Sequence, residues 1–118
     1  MPVRVLIVDD DASFRAMATA LLTARGHRVV GEAGSLTEAR LAVARLRPDA
    51  ILLDVNLPDG DGLSLAAELG GDGGPRVLLT SSDAAGPPPK AVQRSGATAF
   101  VAKTDLVVTD LQPHIGGE

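Results

Sequence analysis

Polar side chains follow four short apolar runs of this sequence, at the point where each run ends. They are Asp9, Asp10 and Asp11 after the run 3–8, Asp54 after the run 50–53, Thr80 after the run 77–79 and Lys103 after the run 99–102. If the runs are parallel strands, their carboxyl ends lie at one edge of a sheet, where open α/β folds collect functional groups. Grouped carboxylates repel one another and are costly to bury, so a cation is expected to offset them.

The acidic group predicts a site for a hard divalent cation. Oxygen ligands in an open arrangement that keeps water favour Mg²⁺ over a caged Ca²⁺. The alternative is that each aspartate only caps a helix, and Asp11, directly before Ala12, has that form. Capping does not explain an adjacent acidic pair after a strand together with a separate strand-end aspartate and lysine. Asp59 and Asp61, in contrast, lie in a turn after Pro58 and are interpreted as turn or cap residues.

Apolar runs alternate with helical patterns along the whole chain, which is typical of βα units around a parallel sheet. The predicted strands are 3–8, 27–32, 50–53, 77–79 and 99–102. The predicted helices are 12–25, one opened by the segment 35–38, 63–69, one that begins no earlier than Pro89, and a weak one from Asp105 that is cut short near Pro113. Together they predict a single domain over 1–118, a doubly wound α/β sandwich with a five-stranded parallel sheet and five helices.

Local signals predict several helix ends. Gly26 is placed to stop the first helix, and Pro48 ends the second. Ser35 and Glu38 form a capping box, in which each side chain is expected to accept the free amide hydrogen of the other residue.

The two histidines are isolated in the sequence and are interpreted as surface residues.

Composition argues against several classes of function. Without cysteine there is no disulfide framework and no thiolate metal site, and a reducing cytoplasm is the expected location. No segment approaches the ~20 apolar residues of a membrane span. The net charge is −4 and no basic cluster would follow a phosphate backbone, so direct contact with nucleic acid is not expected. Two phenylalanines, with no tryptophan or tyrosine, offer no stacking platform for bases.

Four segments, taken in order, resemble the receiver domains of bacterial two-component response regulators. They are 5–10, 53–62, 75–80 and 99–103. The resemblance covers nearly the whole chain and implies a flavodoxin-like three-layer sandwich with strand order 2-1-3-4-5. It also implies that Asp54 is the phosphoacceptor. The implied Mg²⁺ ligands are Asp10 directly, Asp9 through water, Asp54, and the backbone carbonyl of Asn56.

The same resemblance implies roles at the other two strand ends. Lys103 pairs with the phosphoryl group, and Thr80 is the switch hydroxyl, preferred to the adjacent Ser81 because it keeps the family's spacing from Pro75. Phe100 is the switch aromatic. The implied function is phosphorelay signalling, in which a sensor histidine kinase donates the phosphoryl group and the domain controls a C-terminal output domain or a partner protein. The domain is then expected to catalyse only its own phosphorylation and dephosphorylation and no other reaction. A homodimer is expected on activation.

Two other functions fit parts of the pattern. Asp9 and Asp11 form an Asp-x-Asp pair that resembles the nucleophile motif of haloacid-dehalogenase phosphatases, so a small Asp-nucleophile phosphatase or phosphotransferase is the alternative. That interpretation leaves Asp54 unexplained, and such enzymes need a cap or a longer chain to enclose their substrate. A flavodoxin-like flavin binder is disfavoured because the aromatic side chains that would sandwich the flavin ring are missing from the sequence.

Overall fold

A computed structural model describes residues 2–70 and 73–116 of the chain. The strands of its large parallel sheet are β1 (Arg4–Val8), β2 (Arg28–Ala33), β3 (Ala50–Asp54), β6 (Arg76–Thr80) and β7 (Ala99–Phe100), and β4 (Asn56–Leu57) and β5 (Gly60–Asp61) form a separate antiparallel hairpin. The order across the large sheet is β2-β1-β3-β6-β7. Counted within that sheet alone, this is the order 2-1-3-4-5, so the predicted topology is confirmed.

Five α-helices in the described residues accompany the sheet. They are α1 (Ala12–Ala24), α2 (Leu36–Leu46), α3 (Gly62–Leu69), α4 (Pro89–Arg94) and α5 (Gln112–Ile115), and a short 3-10 helix spans Lys103–Asp105. The doubly wound sandwich predicted from the alternating pattern is confirmed. None of the helices in the described part of the chain has the length and apolar character that a membrane crossing requires.

The core has two layers, one on each face of the sheet. Alternate strand residues point to opposite faces, so each central strand contributes to both layers. The first layer, under α1 and α5, contains Val5, Ile7, Ala50, Leu52 and Leu78 from the sheet, and the second, under α2 and α3, contains Leu6, Val8, Ile51, Leu53, Val77 and Leu79. Every residue of β3 is buried as a result, which explains its uniformly apolar sequence before Asp54.

The end of α1 and the start of α4 have the form that the sequence predicts. Gly26 follows the helix at φ 87°, and its amide donates to the carbonyl of Thr23 while that of His27 donates to Leu22, which is a Schellman motif. The helix stop at Gly26 is therefore confirmed. Pro89 is the first residue of α4, where its missing N–H is not needed.

The N-terminus of α2 differs from the predicted capping box in one contact. The Ser35 hydroxyl accepts from the Glu38 amide at 3.1 Å, as expected. The Glu38 carboxylate, however, accepts from the Gly34 amide at 3.0 Å instead of the Ser35 amide. Asp59, from the β4–β5 hairpin, accepts the Leu36 amide at 2.7 Å. The helix start is thus satisfied partly by a distant loop, which a local sequence pattern does not show.

The C-terminal part of the chain departs most from the sequence prediction. β7 ends at Phe100, two residues before the predicted end of the strand 99–102. The predicted helix from Asp105 that ends near Pro113 is wrong, because the 3-10 helix and turns occupy 103–109 and Pro113 lies in the first turn of α5. Proline fits there because a first-turn residue needs no N–H bond within its helix.

His27 is buried, so its interpretation as a surface residue is wrong. Its side chain follows the Schellman motif into the fold and is 9% exposed. Burial lowers the pKa of His27, the positive charge of Arg25 lowers it further, and Asp110 raises it in part. The fold therefore favours the neutral imidazole over the imidazolium. His114 is partly exposed.

Candidate metal centre

Strand alternation brings three of the predicted site residues to one face of the sheet. The side chains of Asp9, Asp54 and Thr80 are in phase with the strand residues that pack under α1 and α5. Asp54 and Thr80 are also direct partners in the pairing of β3 with β6. Ser81 is one residue out of phase, and its hydroxyl accepts from the Asp83 amide at 3.1 Å. The alternation therefore puts Thr80, and not Ser81, beside Asp54.

Asp9, Asp10 and Asp54 form one acidic group. Each offers a carboxylate oxygen, and these oxygens all lie within 4.8 Å of one another. Asp9 and Asp54 are 0% and 5% exposed, whereas Asp10 is on the surface. Each buried acid accepts one backbone amide on Oδ1, Asp9 from Asp11 at 2.9 Å and Asp54 from Asn56 at 3.0 Å. In both, the second oxygen remains available to a positively charged partner.

Lys103 reaches both buried acids from the start of the 3-10 helix that follows β7. Its Nζ lies 2.6 Å from Asp9 Oδ2 and 3.3 Å from Asp54 Oδ2. Burial alone would lower the pKa of Lys103, but its close pairing with Asp9 and the negative charge of Asp54 outweigh that effect and raise the pKa. The side chain is therefore kept as an ammonium ion, the form that pairs with phosphate oxygens.

The charges and donors of this group fit a hard divalent cation. Three carboxylates and one ammonium leave a net charge of −2. Asp9 Oδ2 is buried and, apart from its ion pair with Lys103, has no hydrogen-bond partner in the described part of the chain. Burial raises the pKa of Asp54, the Asn56 amide lowers it in part, and the charge of Asp9 raises it again. A donor set of oxygens alone, open to solvent at Asp10, suits Mg²⁺.

The chain that follows Asp54 folds back against the backbone of Asp54. The Gly62 amide donates to the Val55 carbonyl at 2.7 Å, which folds the β4–β5 hairpin back on the end of β3. A Cβ atom at Gly62 would lie 2.3 Å from the Asp54 carbonyl oxygen, so only glycine allows this approach. The hairpin thereby fixes Asn56, whose amide holds Asp54, while the predicted role of its carbonyl as a metal ligand stays a prediction.

The Thr80 hydroxyl links the site to the end of β7. It is fully buried and donates to the Val101 carbonyl at 2.7 Å. A hydroxyl carries a single hydrogen, so Thr80 can donate to a group on Asp54 only if it releases Val101. The hydrogen bond is therefore a contact that chemistry at Asp54 would change.

Phe100 packs on the other face of the sheet, against Gly86. A Cβ atom at Gly86 would lie 2.4 Å from two ring carbons, and the backbone there has φ 61°. Both facts require glycine at this position. The half-buried ring lines a cavity of about 330 Å³ together with Ala85, Pro87, Pro89 and Val92. Its role as the switch aromatic stays a prediction.

Three other aspartates on the same edge cap helices. Asp11 Oδ1 accepts the Ser13 amide at 2.9 Å at the start of α1, and Asp61 Oδ1 accepts the Leu63 amide at 2.8 Å at the start of α3. Asp59 caps α2, as described above. The interpretation of Asp59 and Asp61 as turn or cap residues is confirmed, and none of the three belongs to the acidic group found among the described residues.

Two neighbours of the site were not predicted from the sequence. Phe14 and Arg15 are consecutive residues in the first turn of α1. Lys103 Nζ lies 4.3 Å from the centroid of the Phe14 ring. Arg15 donates from Nη1 to the Asp9 carbonyl at 2.6 Å and from Nε to Glu32 Oε1 at 2.9 Å. The short connection between β1 and α1 indicates that Arg15 lies near the end of β1. No local pattern in the sequence indicates the pairing of Phe14 with Lys103.

Comparison with known protein families supports what the geometry indicates. The family model described as the response regulator receiver domain matches residues 5–113. The chain belongs to the response-regulator receiver family. The signal receiver domain of the response regulator NarL from Mycobacterium tuberculosis is 33% identical, with a TM-score of 0.75, and the match covers 91% of each chain.

Curated relatives of this receiver domain are longer proteins. Protein-glutamate methylesterase/protein-glutamine glutaminase 5 of Myxococcus xanthus is 37% identical over 122 residues, which cover 99% of this chain and 34% of that protein. The DNA-binding response regulator MtrA of Mycobacterium tuberculosis is 43% identical over 81 residues, which cover 66% of this chain and 34% of that protein. The chain thus spans about a third of the length of these relatives, and what they share with it is the receiver domain of two-component signalling.

Proposed function

We propose that this receiver domain, over residues 1–118, accepts a phosphoryl group on Asp54 in a phosphorelay. The environment of Asp54 carries the proposal. Its carboxylate stands at the end of a central strand, 5% exposed, beside Lys103 and the two other acids of the group. The Asn56 amide orients it without neutralising its charge. An oriented carboxylate next to a fixed cation is what a phosphoryl-accepting nucleophile needs.

In the proposed reaction, a carboxylate oxygen of Asp54 attacks the phosphorus of a phosphohistidine. The new P–O bond forms as the P–N bond breaks, and the imidazole leaves with the electron pair and takes a proton from solvent. Positioning and charge neutralisation matter more here than proton transfer. Lys103 Nζ, 3.3 Å from Asp54 Oδ2, is placed to pair with a phosphoryl oxygen as a point charge. Water later hydrolyses the acyl phosphate and restores Asp54.

Mg²⁺ is the proposed cofactor. The residues that would hold it are Asp10 directly, Asp9 through water, Asp54, and Asn56 through its backbone carbonyl. When bound, it supplies charge neutralisation at a phosphoryl oxygen. The net charge of −2 and the buried Asp9 Oδ2 support this assignment. Arg15 supports it indirectly, because its hydrogen bond to the Asp9 carbonyl holds the end of β1 in place.

Thr80 and Phe100 are the proposed switch residues. On phosphorylation, the Thr80 hydroxyl would exchange the Val101 carbonyl for a phosphoryl oxygen. Val101 directly follows Phe100, so this exchange releases the backbone next to the aromatic ring. The ring packs on Gly86 at the opposite face of the sheet. A change at the site would thereby reach the surface near the start of α4.

The proposed phosphoryl donor is a sensor histidine kinase. The named relatives include a DNA-binding regulator and a methylesterase, so the proposed target is an attached output domain or a partner protein. A homodimer on activation is one route to such an output. The domain itself would catalyse only its own phosphorylation and dephosphorylation, in the cytoplasm, and its net charge of −4 argues against direct contact with nucleic acid.

Labelling with a small phosphodonor tests the proposal. The protein is incubated with acetyl phosphate and Mg²⁺, and its intact mass is measured. We expect the wild type to gain one phosphoryl group and Asp54→Asn to gain none. Asp61→Asn is the matched control, because Asp61 lies in the hairpin that follows Asp54 but only caps α3. Undiminished labelling of Asp54→Asn would overturn the assignment.

A turnover assay separates this function from the small phosphatase alternative. Asp11 caps α1 and lies outside the acidic group, so the Asp-x-Asp pair does not form the two-carboxylate site that a phosphatase would use. We therefore expect no sustained hydrolysis of p-nitrophenyl phosphate. Sustained hydrolysis that is lost in Asp9→Asn but kept in Asp54→Asn would support the phosphatase and contradict the receiver assignment.

A further inference from the structure

Phe14 places an aromatic ring against the ammonium of Lys103. Nζ lies 4.3 Å from the ring centroid, inside the ~6 Å range of cation–π contacts. The Phe14 side chain is 8% exposed and belongs to the apolar layer that α1 packs on the sheet. One face of a core side chain thus meets a charge instead of another apolar group.

The contacts of the first turn of α1 fix the position of this ring. The Phe14 amide donates to the capping carboxylate of Asp11 at 3.4 Å. The next residue, Arg15, donates to the Asp9 carbonyl at 2.6 Å. The helix start is therefore tied to the same strand end that carries the acidic group, and the ring is set relative to Asp9.

The Lys103 side chain, in contrast, is a flexible four-carbon stem that must be held by its surroundings. Its two close ionic partners, Asp9 and Asp54, are also proposed ligands of the divalent cation. A cation and an ammonium compete for the same carboxylates and repel each other. The ring face attracts positive charge through its quadrupole and takes no part in the acidic group. Phe14 is thus a contact of Lys103 that cation binding does not contest.

We infer that Phe14 is a positioning residue for Lys103, whose ring holds the ammonium beside Asp54 where it can pair with a phosphoryl oxygen. The inference rests on the proposed function of Asp54 and Lys103. Phe14 acts through Lys103 and touches no reacting atom. A purely structural phenylalanine would need only apolar volume, which leucine also supplies. A positioning role needs the electron-rich face of the ring.

NMR of the lysine side chains tests the placement without metal or phosphate. The chain has two lysines, Lys90 and Lys103, and Lys90 is exposed at the start of α4, so it serves as an internal reference. Protons held over a ring face are shifted upfield, so the ε-methylene of Lys103 should lie upfield of that of Lys90. Phe14→Leu should bring the two signals together, and Phe14→Tyr should keep them apart. Coincident signals in the wild type would overturn the inference.

Ring fluorination tests whether the placement matters for phosphorylation. Replacement of Phe14 by mono-, tri- and pentafluorophenylalanine weakens the negative ring face in steps with little change in volume. The rate of labelling by acetyl phosphate should fall in the same steps, by about three- to tenfold for the pentafluoro ring. Phe14→Leu should be slow, and Phe14→Tyr should restore most of the rate.

Leu22→Ala is the matched control for stability. Leu22 is 2% exposed in the same apolar layer but lies near the other end of α1. Its truncation should lower the melting temperature and leave the labelling rate of the folded protein unchanged. The inference would be overturned if the labelling rate changed in proportion to stability in all variants, or if fluorination of the ring left the labelling rate unchanged. If the wild type takes no label at all, the proposed function fails, and the lysine spectrum still decides where the ammonium lies.

Discussion

Two sets of three aspartates lie at the carboxyl edge of the sheet, and they differ in what their oxygens bind. The capping acids, Asp11, Asp59 and Asp61, accept amides at the starts of helices α1, α2 and α3. The site acids are Asp9, Asp10 and Asp54. The two buried site acids each give one oxygen to a single amide and leave the other facing Lys103.

The surroundings of the second oxygen, and not acidity or the number of amides bound, separate a proposed ligand from a cap, because Asp61 also accepts one amide on Oδ1 but lies outside the acidic group. Asp10 and Asp11 are neighbours in the sequence and both are exposed. Asp11 has the extended backbone of an N-cap and turns its carboxylate to the helix amides. Asp10 has a carboxylate oxygen in the acidic group. Three consecutive aspartates therefore serve two purposes, decided by where the helix begins.

The largest expected effect is on Mg²⁺ affinity, when one acid of each set is replaced separately by asparagine. Asp10→Asn removes a proposed direct ligand and should weaken Mg²⁺ binding by at least about tenfold, since even indirect partners of a metal contribute about 10- to 100-fold. Asp11→Asn keeps a good N-cap and should leave the affinity unchanged. NMR titration of backbone amides with Mg²⁺ gives both affinities. An equal loss in the two variants would break the distinction between the sets.

Asp59 should be important for stability and unimportant for the site. The Leu36 amide lowers the pKa of the Asp59 carboxyl, burial opposes this, and the amide and hydroxyl of Thr37 lower it further. Because the folded protein has the lower pKa, the contribution of Asp59 is complete above the ordinary aspartate value of about 3.9 and is lost as the pH falls through the folded value. Asp59→Ala should therefore lower the free energy of unfolding at pH 7.

Urea denaturation at pH 7 and at successively lower pH measures this effect. The difference between wild type and Asp59→Ala should shrink as Asp59 becomes protonated, while labelling of Asp54 at neutral pH stays normal. Asp59→Asn can still accept one amide and should fall between the two. A stability difference that does not change with pH would show that the charge of Asp59 has no part in capping α2.

A smaller effect of opposite sign is expected at the site acids. Asp10→Asn removes one of three mutually repelling carboxylates, so it should stabilise the protein without Mg²⁺, by about half a kcal/mol, the scale of exposed charge pairs. With saturating Mg²⁺ the wild type should regain the advantage because it binds the ion more tightly. Thermal unfolding with and without Mg²⁺ checks the reversal. Destabilisation of Asp10→Asn under both conditions would contradict the repulsion.

The smallest effect should come from a group outside both sets of acids. Burial lowers the pKa of His27 from 6.5, so below that pH the unfolded chain binds a proton that the folded protein does not. The free energy of unfolding should therefore decline as the pH falls from 7.5 toward the lowered pKa. His27→Gln should remove this part of the decline, as urea titrations at several pH values would show. An unchanged slope would mean that His27 does not control stability in this range.

Much of the fold and the grouping of the site could be predicted because both follow from local patterns. Short apolar runs that alternate with helical patterns identify the strands, and the residues that end parallel strands meet at one edge. That reasoning was sufficient to bring Asp9, Asp10 and Asp54 together with Lys103. It also separated Asp59 from the site, since a position after Pro58 favours turn and cap roles.

The features that were not predicted depend on contacts between distant residues. Glu38 was expected to bond Ser35, but Asp59 reaches α2 from the hairpin, and Glu38 bonds Gly34. Pro113 was interpreted as a helix end because proline interrupts helices, yet it serves in a first turn. The ring of Phe14 meets Lys103 only after α1 has packed on the sheet.

A Mg²⁺ titration followed at the side-chain carboxyl carbons tests the central distinction most directly. It observes all six aspartates of the two sets in one experiment on the unmodified chain. The carboxyl signals of Asp9, Asp10 and Asp54 should shift together with one apparent affinity, and those of Asp11, Asp59 and Asp61 should stay in place. Shifts spread evenly over both sets, or confined to the capping acids, would contradict the assignment of the metal centre.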